Sequence, residues 1–533
     1  MAGVERAPRR ALVLIGFMGA GKSTVAVELA RALGVQALDS DALLQARLGH
    51  SPAREFELHG EASFREAEER LVCELLDTAL PGAVIALGGG SILSERVRVA
   101  LEPHVVVLLD VAAECAWARV GAPPEASGGA LGRPLARDRE AFFALHAERR
   151  ELYERHADAI VPSLARGEAS RVLDALRALA AAPAGARLLW AQSSSGDYPV
   201  LAGRGLLRAA GADDAGELWP IDRSRSRAFC VTDEVVASLY GDELGWLSGT
   251  IAVAPGERHK TLASAERVWG ELVGAGVDRG DHLVALGGGV VGDLAGFCAA
   301  TYQRGVPIVH VPTTLLAQVD SAYGGKTGVD LPQAKNYVGA YHQPAGVLVD
   351  SDTLESLPAG ELSAGWVEVL KTALIAGGPL WERVGAGADL DDWTILACAR
   401  TKLAVVAADE RDGGRRQVLN LGHTVGHAIE TATGYTRYRH GEAVGLGLLA
   451  ALRLSGAEEL RARVGALLEA RDLPTALDGA SVEQVVAATA RDKKRVGEQL
   501  PFVLLERPGE PRTGCEVAPA ELRAAVAELA ERG

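Results

Sequence analysis

The stretch ALVLIGFMGAGKST, residues 11–24, joins a short apolar run to a glycine-rich turn and the start of a helical pattern. A short apolar run followed by glycine is typical of a buried parallel strand. The turn contains the pattern G-x4-G-K-S, which ends in Lys22 and Ser23. In this pattern backbone N–H groups surround nucleotide phosphates, the lysine reaches the β and γ oxygens, and the hydroxyl binds magnesium. A turn without a ligand is the alternative, but strand and helix together favour a nucleoside triphosphate site.

Length and composition limit the classes of protein to consider. A chain of 533 residues is too long for one hydrophobic core, so several domains are expected. The net charge of −15 disfavours a nucleic-acid partner, because such proteins need a basic face to neutralise phosphates. The six cysteines show no CxxC spacing, which argues against a disulfide framework and a cysteine zinc site. No apolar run approaches the roughly 20 residues of a membrane span, and we expect a cytoplasmic protein.

Two carboxylates follow the next predicted strand. Asp39 and Asp41, in the sequence LDSD, are placed where a carboxylate can assist magnesium or take a proton from an attacking hydroxyl. Capping of a helix start is the alternative reading for both. The sequence alone leaves these two readings open.

Arginines and glycines further along suggest the class of acceptor. Arg65 lies in FRE, a glycine triplet at 88–90 follows the apolar run AVIAL, Arg133 lies in RPL, and Arg149 precedes Tyr153. Guanidinium groups pair bidentately with carboxylates, so arginines beside a glycine turn suit a small carboxylate acceptor. Taken singly, each arginine is as easily explained as a solvated surface residue.

Together, GFMGAGKST, DSD, FRxxE, GGGS, RPL and RxxxY resemble shikimate kinase in their order and spacing. The resemblance implies a small P-loop kinase that transfers phosphate from ATP to the 3-hydroxyl of shikimate with magnesium. The phosphate loop would comprise Gly16, Gly19, Ala20, Gly21, Lys22, Ser23 and Thr24. Shikimate would be held by Asp41, Arg65, Gly88, Gly89 and Arg149. The resemblance also implies that Asp39 and Ser23 serve the magnesium ion, that Arg133 belongs to a lid, and that Lys22, Asp41 and Arg133 are catalytic. The lid region carries extra Gly, Ala and Pro before Arg133.

The composition changes near residue 181. An alanine-rich helical pattern ends there, and AAPAGAR, residues 181–187, has the proline and glycine of a linker. We therefore predict a kinase domain at 1–180, a linker at 181–187, a nucleotide-binding α/β domain at 188–352, and a mostly helical domain at 353–533.

The second part opens with short apolar runs that end in glycine and are followed by helical spacing. This pattern predicts an open α/β domain that binds a nucleotide near its strand ends. GGGVVGD, residues 287–293, has the form of a phosphate-approach turn at a helix start, although a tight turn without ligand fits equally. Lys326 and Lys335 lie near a second glycine turn and can hold a phosphate or phosphonate, with solvated lysines as the alternative.

The histidines of RQVLNLGHTVGHAIETATGYTRYRHGE, residues 416–442, predict a metal site. His423 and His427 are four residues apart, so both imidazoles share one helix face, and His440 follows. Catalytic zinc commonly takes three protein ligands and keeps a fourth position open. Glu368 can supply a missing carboxylate. Two ordinary helix histidines are the alternative for the pair alone.

This part resembles 3-dehydroquinate synthase through PGExxK, GGGVVGDLAGFCAAT, VPTTLLAQVDS, GGKTGV, AKNYVGA, EVLK, VVAADERDGGRRQVLNLGHTVGHAIE and HGEAV. The resemblance implies NAD, and zinc or cobalt held by Glu368, His423 and His440, with His427 facing the substrate. The NAD residues implied are Asp233, Glu257, Lys260, Gly288, Gly289, Val290, Asp293, Thr313, Thr314, Lys326 and Lys335. The substrate residues implied are Arg304, Asp320, Lys326, Asn336, Lys371, Lys402, Asp412, Arg416, Asn420, His427 and Lys493. The catalytic residues implied are Lys326, Lys371, Lys402, Asp412, Arg416 and His427.

The combined expectation is a bifunctional enzyme that acts on shikimate, ATP and a heptulosonate phosphate. Asp330 stands where the family commonly has asparagine, and SAY stands for the more usual SSI, so tuning of the site is expected. A homodimer through the second part is a further expectation. Three alternatives remain for that part: another sugar-phosphate cyclase, a metal-dependent polyol dehydrogenase, and a scaffold without activity.

Overall fold

The computed structural model describes residues 11–120, 138–212, 215–489 and 501–531. Two predicted site residues, Arg133 and Lys493, lie outside these ranges. The chain forms two compact units. The first comprises residues 1–191, 199–201 and 214–220, and the second comprises residues 192–198, 202–213 and 221–533.

A parallel sheet forms the centre of the first unit. Its strands are β1 (Ala11–Ile15), β2 (Ala37–Asp39), β3 (Ala83–Ala86), β4 (Val105–Asp110), β5 (Ala159–Pro162) and β6 (Arg187–Ala191). They are ordered β2-β3-β1-β4-β5-β6, with all neighbours parallel. The strands are short and almost wholly apolar, as expected for a sheet covered by helices on both faces.

Helices follow these strands along the chain. They are α1 (Lys22–Leu33), α2 (Ser40–Leu48), α3 (Pro52–Thr78), α4 (Glu95–Leu101), α5 (Ala113–Val120), α6 (Arg139–His156) and α7 (Leu173–Ala181). The carboxyl ends of parallel strands share one edge of a sheet. The turns after β1, β2 and β3 therefore lie together, and these turns carry most of the predicted kinase residues.

The stretch predicted as a linker contains the start of a strand. Arg187 begins β6, which pairs with β5 through Ala159 beside Leu188 and Ile160 beside Leu189. The backbone N–H of Leu188 also donates to the carbonyl of Asp158 at 2.8 Å. The first unit thus extends beyond residue 180, because its sheet continues into β6.

A fragment of residues 1–191 is expected to be more stable than a fragment of residues 1–180. The shorter fragment leaves the β5 edge with unpaired backbone groups, and an exposed strand edge favours aggregation. We expect the longer fragment to unfold at a temperature higher by about 2–4 °C, corresponding to roughly 1 kcal/mol for a domain of this size. Thermal unfolding followed by circular dichroism measures the difference. Equal unfolding temperatures and equal solubility would contradict a role for β6 in the first unit.

The strand β7 (Tyr198–Gly203) is divided between the two units, and the second unit contains a further group of parallel strands. These strands are β8 (Ala228–Asp233), β9 (Gly249–Val253), β10 (His282–Gly287), β11 (Ile308–Pro312) and β14 (Gly346–Asp350). Their order is β14-β11-β10-β8-β9, with parallel neighbours. Two antiparallel pairs accompany these strands: β12 (Lys326–Leu331) with β13 (Ala334–Tyr341), and β15 (Phe502–Leu505) with β16 (Pro511–Cys515).

Helices dominate the second unit after β14. The helices before that point are α8 (Leu206–Gly211), α9 (Glu234–Tyr240), α10 (Leu262–Gly274) and α11 (Gly289–Thr301). Those after it are α12 (Ala359–Ala376), α13 (Gly378–Gly385), α14 (Asp392–Ala408), α15 (His423–Ala432), α16 (His440–Leu454), α17 (Glu458–Glu469), α18 (Val482–Thr489) and α19 (Pro519–Ala530). The predicted fold class, parallel α/β followed by a helical region, is confirmed, although β15 and β16 were not predicted. Within the described ranges, no helix has the length and apolar character needed to cross a membrane.

Candidate active sites

The turn between β1 and α1 has the geometry of a phosphate-binding loop. Gly19 has a φ of 82°, and a Cβ at this position would lie 2.9 Å from the carbonyl oxygen of Ala116, so a side chain does not fit. Lys22 Nζ donates to the carbonyl of Gly16 at 2.8 Å, which holds the ammonium over the turn. The N–H groups and dipole at the start of α1 favour an anion here. The remaining predicted residues of this turn and of the start of α1 are Ala20, Gly21, Ser23 and Thr24.

The turn after β3 brings two carboxylates together. A Cβ on Gly88 would lie 2.7 Å from Asp41 Oδ1 and 2.6 Å from Glu68 Oε1, so both carboxylates face this glycine. Arg65 Nη1 donates to Glu68 Oε2 at 2.7 Å. Glu68 also accepts from the hydroxyl of Ser91 at 2.9 Å. A small polar ligand beside Gly88 would therefore meet Asp41 and Arg65 together.

Arg149 and Tyr153, on α6, reach the same turn. Arg149 Nη1 lies 3.4 Å from the carbonyl oxygen of Gly89, and the Tyr153 hydroxyl donates to that oxygen. Burial raises the pKa of Tyr153 to about 12, so its hydroxyl keeps the donated proton at neutral pH. The predicted acceptor residues Asp41, Arg65, Gly88, Gly89 and Arg149 thus lie around one turn.

Asp39 has a structural function as well as its predicted one. Its carboxylate accepts from the backbone N–H groups of Asp41 at 3.0 Å and Ala42 at 3.1 Å and so caps α2. The capping alternative is therefore observed for Asp39, and its role beside magnesium stays a prediction.

Glu68 is a site residue to which the sequence reasoning assigned no role. It is almost fully buried and connects Arg65 to the turn after β3. Its position three residues after Arg65, within FRxxE, was an available signal, since residues at this spacing are neighbours on a helix.

The second unit contains a cluster of three imidazoles. One ring nitrogen each from His423, His427 and His440 lies within 4.8 Å of the others. His423 and His427 are on α15, and His440 begins α16, which packs beside it. The predicted helical spacing of the first two is confirmed, and the third is brought in by the antiparallel return of the chain.

Glu368, on α12, completes the cluster. Its Oε1 lies 3.7 Å from His423 Nε2 and 3.6 Å from His440 Nε2, and it is 1% exposed. A tetrahedral zinc with bonds of about 2.1 Å sets its ligand atoms about 3.4 Å apart. These three side chains therefore fit a metal of that size after small adjustments. A carboxylate oxygen with two imidazoles is also a donor set that zinc and cobalt accept.

The other ring nitrogens of two of these histidines are held by neighbouring oxygens. His423 Nδ1 lies 3.2 Å from the carbonyl oxygen of Leu421. His440 Nδ1 lies 3.3 Å from Glu430 Oε2. In each case a proton on Nδ1 leaves Nε2 as the electron-pair donor, and Nε2 is the atom near Glu368.

A row of alternating charges, which we call the charge row, runs through Glu368, Lys371, Asp320 and Lys402. Lys371 Nζ lies 2.5 Å from Glu368 Oε2 and 3.2 Å from Asp320 Oδ2. Lys402 Nζ donates to both the carboxylate and the carbonyl of Asp320. Burial opposes the charged form of Lys371, but the carboxylates of Asp320 and Glu368 raise its pKa above the ordinary value. Lys371 is therefore a buried ammonium at neutral pH.

Asp320 owes its position to an unusual backbone. Residues 317–321 form one turn of π-helix, a geometry found frequently at functional sites. Burial opposes ionisation of Asp320, but the ammonium groups of Lys371 and Lys402 hold its pKa well below the usual range. The carboxylate is thus a fixed anchor between two predicted substrate lysines.

Several of the predicted NAD residues lie at the carboxyl ends of the parallel strands of the second unit. Asp233 ends β8 and caps α9, Gly288 lies between β10 and α11, and Thr313 follows β11. A Cβ on Gly288 would lie 2.8 Å from the Thr314 side chain, so only glycine leaves room at this turn. The carboxyl edge of an open parallel sheet is the usual place for a nucleotide. Gly289 and Val290 lie in the first turn of α11.

Lys260 contacts two of the remaining predicted NAD residues, Glu257 and Asp293. Its Nζ lies 2.9 Å from Glu257 and 3.0 Å from Asp293, and it donates to Asn336 Oδ1 at 2.8 Å. Asp330 is 3.9 Å away. Burial opposes the charge on Lys260, but the nearby carboxylates raise its pKa above the ordinary value. Asn336, predicted for the substrate, therefore contacts a residue predicted for NAD.

Other predicted substrate residues form smaller groups. Lys326 Nζ lies 2.6 Å from Asp412 Oδ2, and Arg416 Nη2 donates to the carbonyl of Gly324 at 2.9 Å. Arg416 is 1% exposed. Arg304 follows α11 with a φ of 71°. Asn420 ends a 3-10 turn of residues 415–420, shortly before α15.

Two further carboxylates in the second unit carry no assignment from the sequence. Glu430 is 3% exposed and contacts both His440 and Lys335. Glu410 accepts from the backbone N–H of Ser195 at 3.1 Å and from the Gln343 amide at 2.9 Å. Glu430 lies seven residues after His423 on the same helix face, and this spacing was the available signal.

Comparison with known proteins assigns families to both units. The sequence model of shikimate kinase matches residues 18–179. The models of the N-terminal and C-terminal parts of 3-dehydroquinate synthase match residues 250–364 and 365–495.

Curated relatives and solved structures agree with these matches. A 3-dehydroquinate synthase of Symbiobacterium thermophilum is 46% identical in an alignment of 349 residues that covers 61% of this chain and 96% of the relative. A 3-dehydroquinate synthase of Caulobacter vibrioides is 42% identical and covers 62% of this chain and 95% of its own. The structure of 2-epi-5-epi-valiolone synthase from Streptomyces hygroscopicus with bound NAD+ and Zn2+ has a TM-score of 0.57 at 26% identity, covering 63% of this chain and 97% of that one. A structure of 2-deoxy-scyllo-inosose synthase complexed with carbaglucose-6-phosphate, NAD+ and Co2+ has a TM-score of 0.56 at 25% identity. The match covers 64% of this chain and 99% of that one.

Proposed function

Because the chain belongs to the 3-dehydroquinate synthase family and carries a shikimate kinase domain ahead of it, we propose specific roles for the residues of both sites. The first unit phosphorylates the 3-hydroxyl of shikimate with ATP and magnesium. The second converts 3-deoxy-D-arabino-heptulosonate 7-phosphate to 3-dehydroquinate and releases phosphate, with NAD and zinc or cobalt as cofactors.

In the kinase, positioning and charge account for catalysis. Lys22 stabilises charge on the transferred phosphoryl group, and the carboxylate of Asp41 accepts the proton from the attacking hydroxyl. Arg65 and Arg149 bind the carboxylate of shikimate beside the turn after β3. Support for this placement comes from the approach of Asp41 and Glu68 to Gly88 and from the contact between Arg65 and Glu68.

Replacement of Arg65 tests where the acceptor binds. Arg65→Ala is expected to raise the KM for shikimate about 10- to 100-fold, because one charge-assisted hydrogen-bond donor to the acceptor is removed. Steady-state kinetics with varied shikimate give this value. Arg70→Ala is the matched control, since Arg70 is on the same helix and pairs with Glu66 at the surface. An unchanged KM in the Arg65 variant would place the acceptor elsewhere.

In the synthase, the metal ligands proposed are Glu368, His423 and His440. The observation that supports this set is the 3.6–3.7 Å separation between Glu368 Oε1 and the two imidazole nitrogens. When bound, NAD takes up and returns a hydride, and the metal polarises the hydroxyl that is transiently oxidised. His427 shares the imidazole cluster and faces the substrate.

The chain's own side chains orient the substrate around this centre. Lys371 and Lys402, both held by Asp320, present positive charge to the anionic groups of the substrate. Arg416 and Lys326 lie beside the Gly324 turn and hold carboxylate or phosphate. Because the departing phosphate can itself carry off a proton, the residues contribute orientation more than base strength.

One assay distinguishes the proposed synthase from its alternatives. The full chain is incubated with the heptulosonate phosphate, and phosphate release is measured while the absorbance of NADH is followed. We expect phosphate release with no net NADH. A polyol dehydrogenase would accumulate NADH, a scaffold would release no phosphate, and another sugar-phosphate cyclase would leave this substrate unchanged.

Another sugar-phosphate cyclase is the nearest alternative for this unit, because both solved neighbours named above are synthases of other products. The relatives at 42% and 46% identity are 3-dehydroquinate synthases and match almost their whole length. We therefore favour the synthase.

A further inference from the structure

Glu430 links the proposed metal centre to the proposed NAD site. Its Oε2 lies 3.3 Å from His440 Nδ1, and its Oε1 lies 3.2 Å from Lys335 Nζ. The two oxygens thus contact one residue from each site. A carboxylate that is 3% exposed needs such partners to offset its desolvation.

Lys335 continues the connection towards NAD. Its Nζ lies 3.7 Å from Glu257 Oε1, and the same oxygen is 2.9 Å from Lys260 Nζ. The ring centroid of Tyr435 lies 4.4 Å from Lys335 Nζ. Tyr435 is itself tied to α15, because its backbone N–H donates to the carbonyl of Glu430 at 2.8 Å. Lys335 is therefore held between α15 and the NAD edge of the sheet.

We propose that Glu430 is a positioning residue that makes zinc binding and NAD binding mutually dependent. The proposal rests on the proposed function, in which His440 is a metal ligand and Lys335 contacts NAD. A carboxylate bound to the remote nitrogen of a ligating imidazole fixes the ring and strengthens it as a ligand. Metal binding to His440 in turn fixes Glu430, and this holds Lys335 in place for NAD. Because binding linkage is reciprocal, NAD must then tighten zinc binding by the same factor.

The test measures four dissociation constants on the full chain. Zinc affinity is determined by competition with a chromophoric chelator, without and with saturating NAD. NAD affinity is determined by calorimetry, without and with zinc. In the unaltered protein we expect each ligand to tighten the other about fivefold or more, the lower end of measured couplings.

Glu430→Gln is expected to weaken zinc binding about tenfold or more and to reduce the coupling factor to near one. Glu442→Gln is the matched control. Like Glu430→Gln, it removes a carboxylate close to His440. The carboxylate of Glu442, however, accepts from the backbone N–H and the side chain of Arg439 and not from the His440 ring. The zinc affinity of this variant should change by about twofold or less. That factor corresponds to the free energy of one side-chain pair on a helix, which is all that the variant loses.

Lys335→Met provides a second variant that does not depend on the folding of α15. It should leave zinc affinity without NAD close to that of the unaltered protein, yet abolish the tightening by NAD. If Glu430 had only a structural role, the Glu430 variant would be less thermally stable, but the factor by which NAD tightens zinc binding would stay the same. The inference is overturned if the unaltered protein binds both ligands independently, or if either variant keeps the coupling. A protein that binds neither zinc nor NAD would instead overturn the proposed cofactor sites.

Discussion

Removal of the metal by prolonged dialysis against a chelator is expected to abolish phosphate release from the heptulosonate phosphate. Zinc or cobalt should restore it. The reason is that Glu368 and His440 are brought within 3.6 Å of each other in a cluster that fits a divalent ion. Without the ion, the hydroxyl to be oxidised has no Lewis acid beside it. The measurement is phosphate release before dialysis, after dialysis and after readdition of metal.

The kinase of the same sample is an internal control for this treatment. Its proposed ion is magnesium, which is added in excess after the chelator has been removed. Shikimate phosphorylation should therefore survive, and a parallel loss would mean that the treatment unfolds the chain. Full synthase activity in rigorously metal-free protein would contradict the assignment of Glu368, His423 and His440.

Lys22→Ala is expected to lower kcat of the kinase about 10²- to 10³-fold, the usual effect of losing one preorganised charge at a reacting group. Lys22 is held over the phosphate loop by the carbonyl of Gly16, so its ammonium is already in place before the nucleotide binds. Rates of shikimate phosphorylation at saturating ATP measure the loss. The synthase activity of the same protein should stay unchanged.

A matched control for this variant is Arg31→Ala. Arg31 is an exposed cation in the last turn of the same helix, at the opposite end from the phosphate loop. It should leave kcat close to that of the unaltered protein. A similar loss in both variants, or none in the Lys22 variant, would contradict the proposed role of the lysine.

The phosphate loop was predictable from sequence because its determinants are contiguous. Strand β1, the glycine turn and Lys22 follow each other within residues 11–22, so local pattern alone defines the geometry. The acceptor residues are different. Asp41, Arg65 and Arg149 come from three separate helices, and only the family resemblance indicated that they belong together.

The metal centre, like the acceptor site, is built from residues that are distant in sequence. Helical spacing predicted His423 and His427 on one face, and the structure agrees. Glu368 is on α12 and reaches these residues only through packing of α12 against α16, which no local pattern encodes. Sequence patterns offered His440 and Glu368 only as candidate ligands, and the resemblance selected Glu368, His423 and His440 as the set.

Long-range contacts also explain what was missed. Glu430 has its role through Lys335, which is on β13, and Glu68 through Ser91 after β3. The strand β6 was hidden because alanine, proline and glycine before it suggested a linker. Edge pairing with β5 depends on chain segments that are distant in sequence, so composition could not reveal it.

The charge row constrains how this enzyme can change during evolution. Glu368, Lys371, Asp320 and Lys402 alternate in sign, so replacing any one of them leaves a net buried charge, which typically costs about 3–5 kcal/mol. Paired replacements that remove one acid and one base avoid that cost and should be far less harmful to folding than either single change. Substitutions along this row are thus expected to be epistatic, and descendants with altered substrates should differ at two of its positions together.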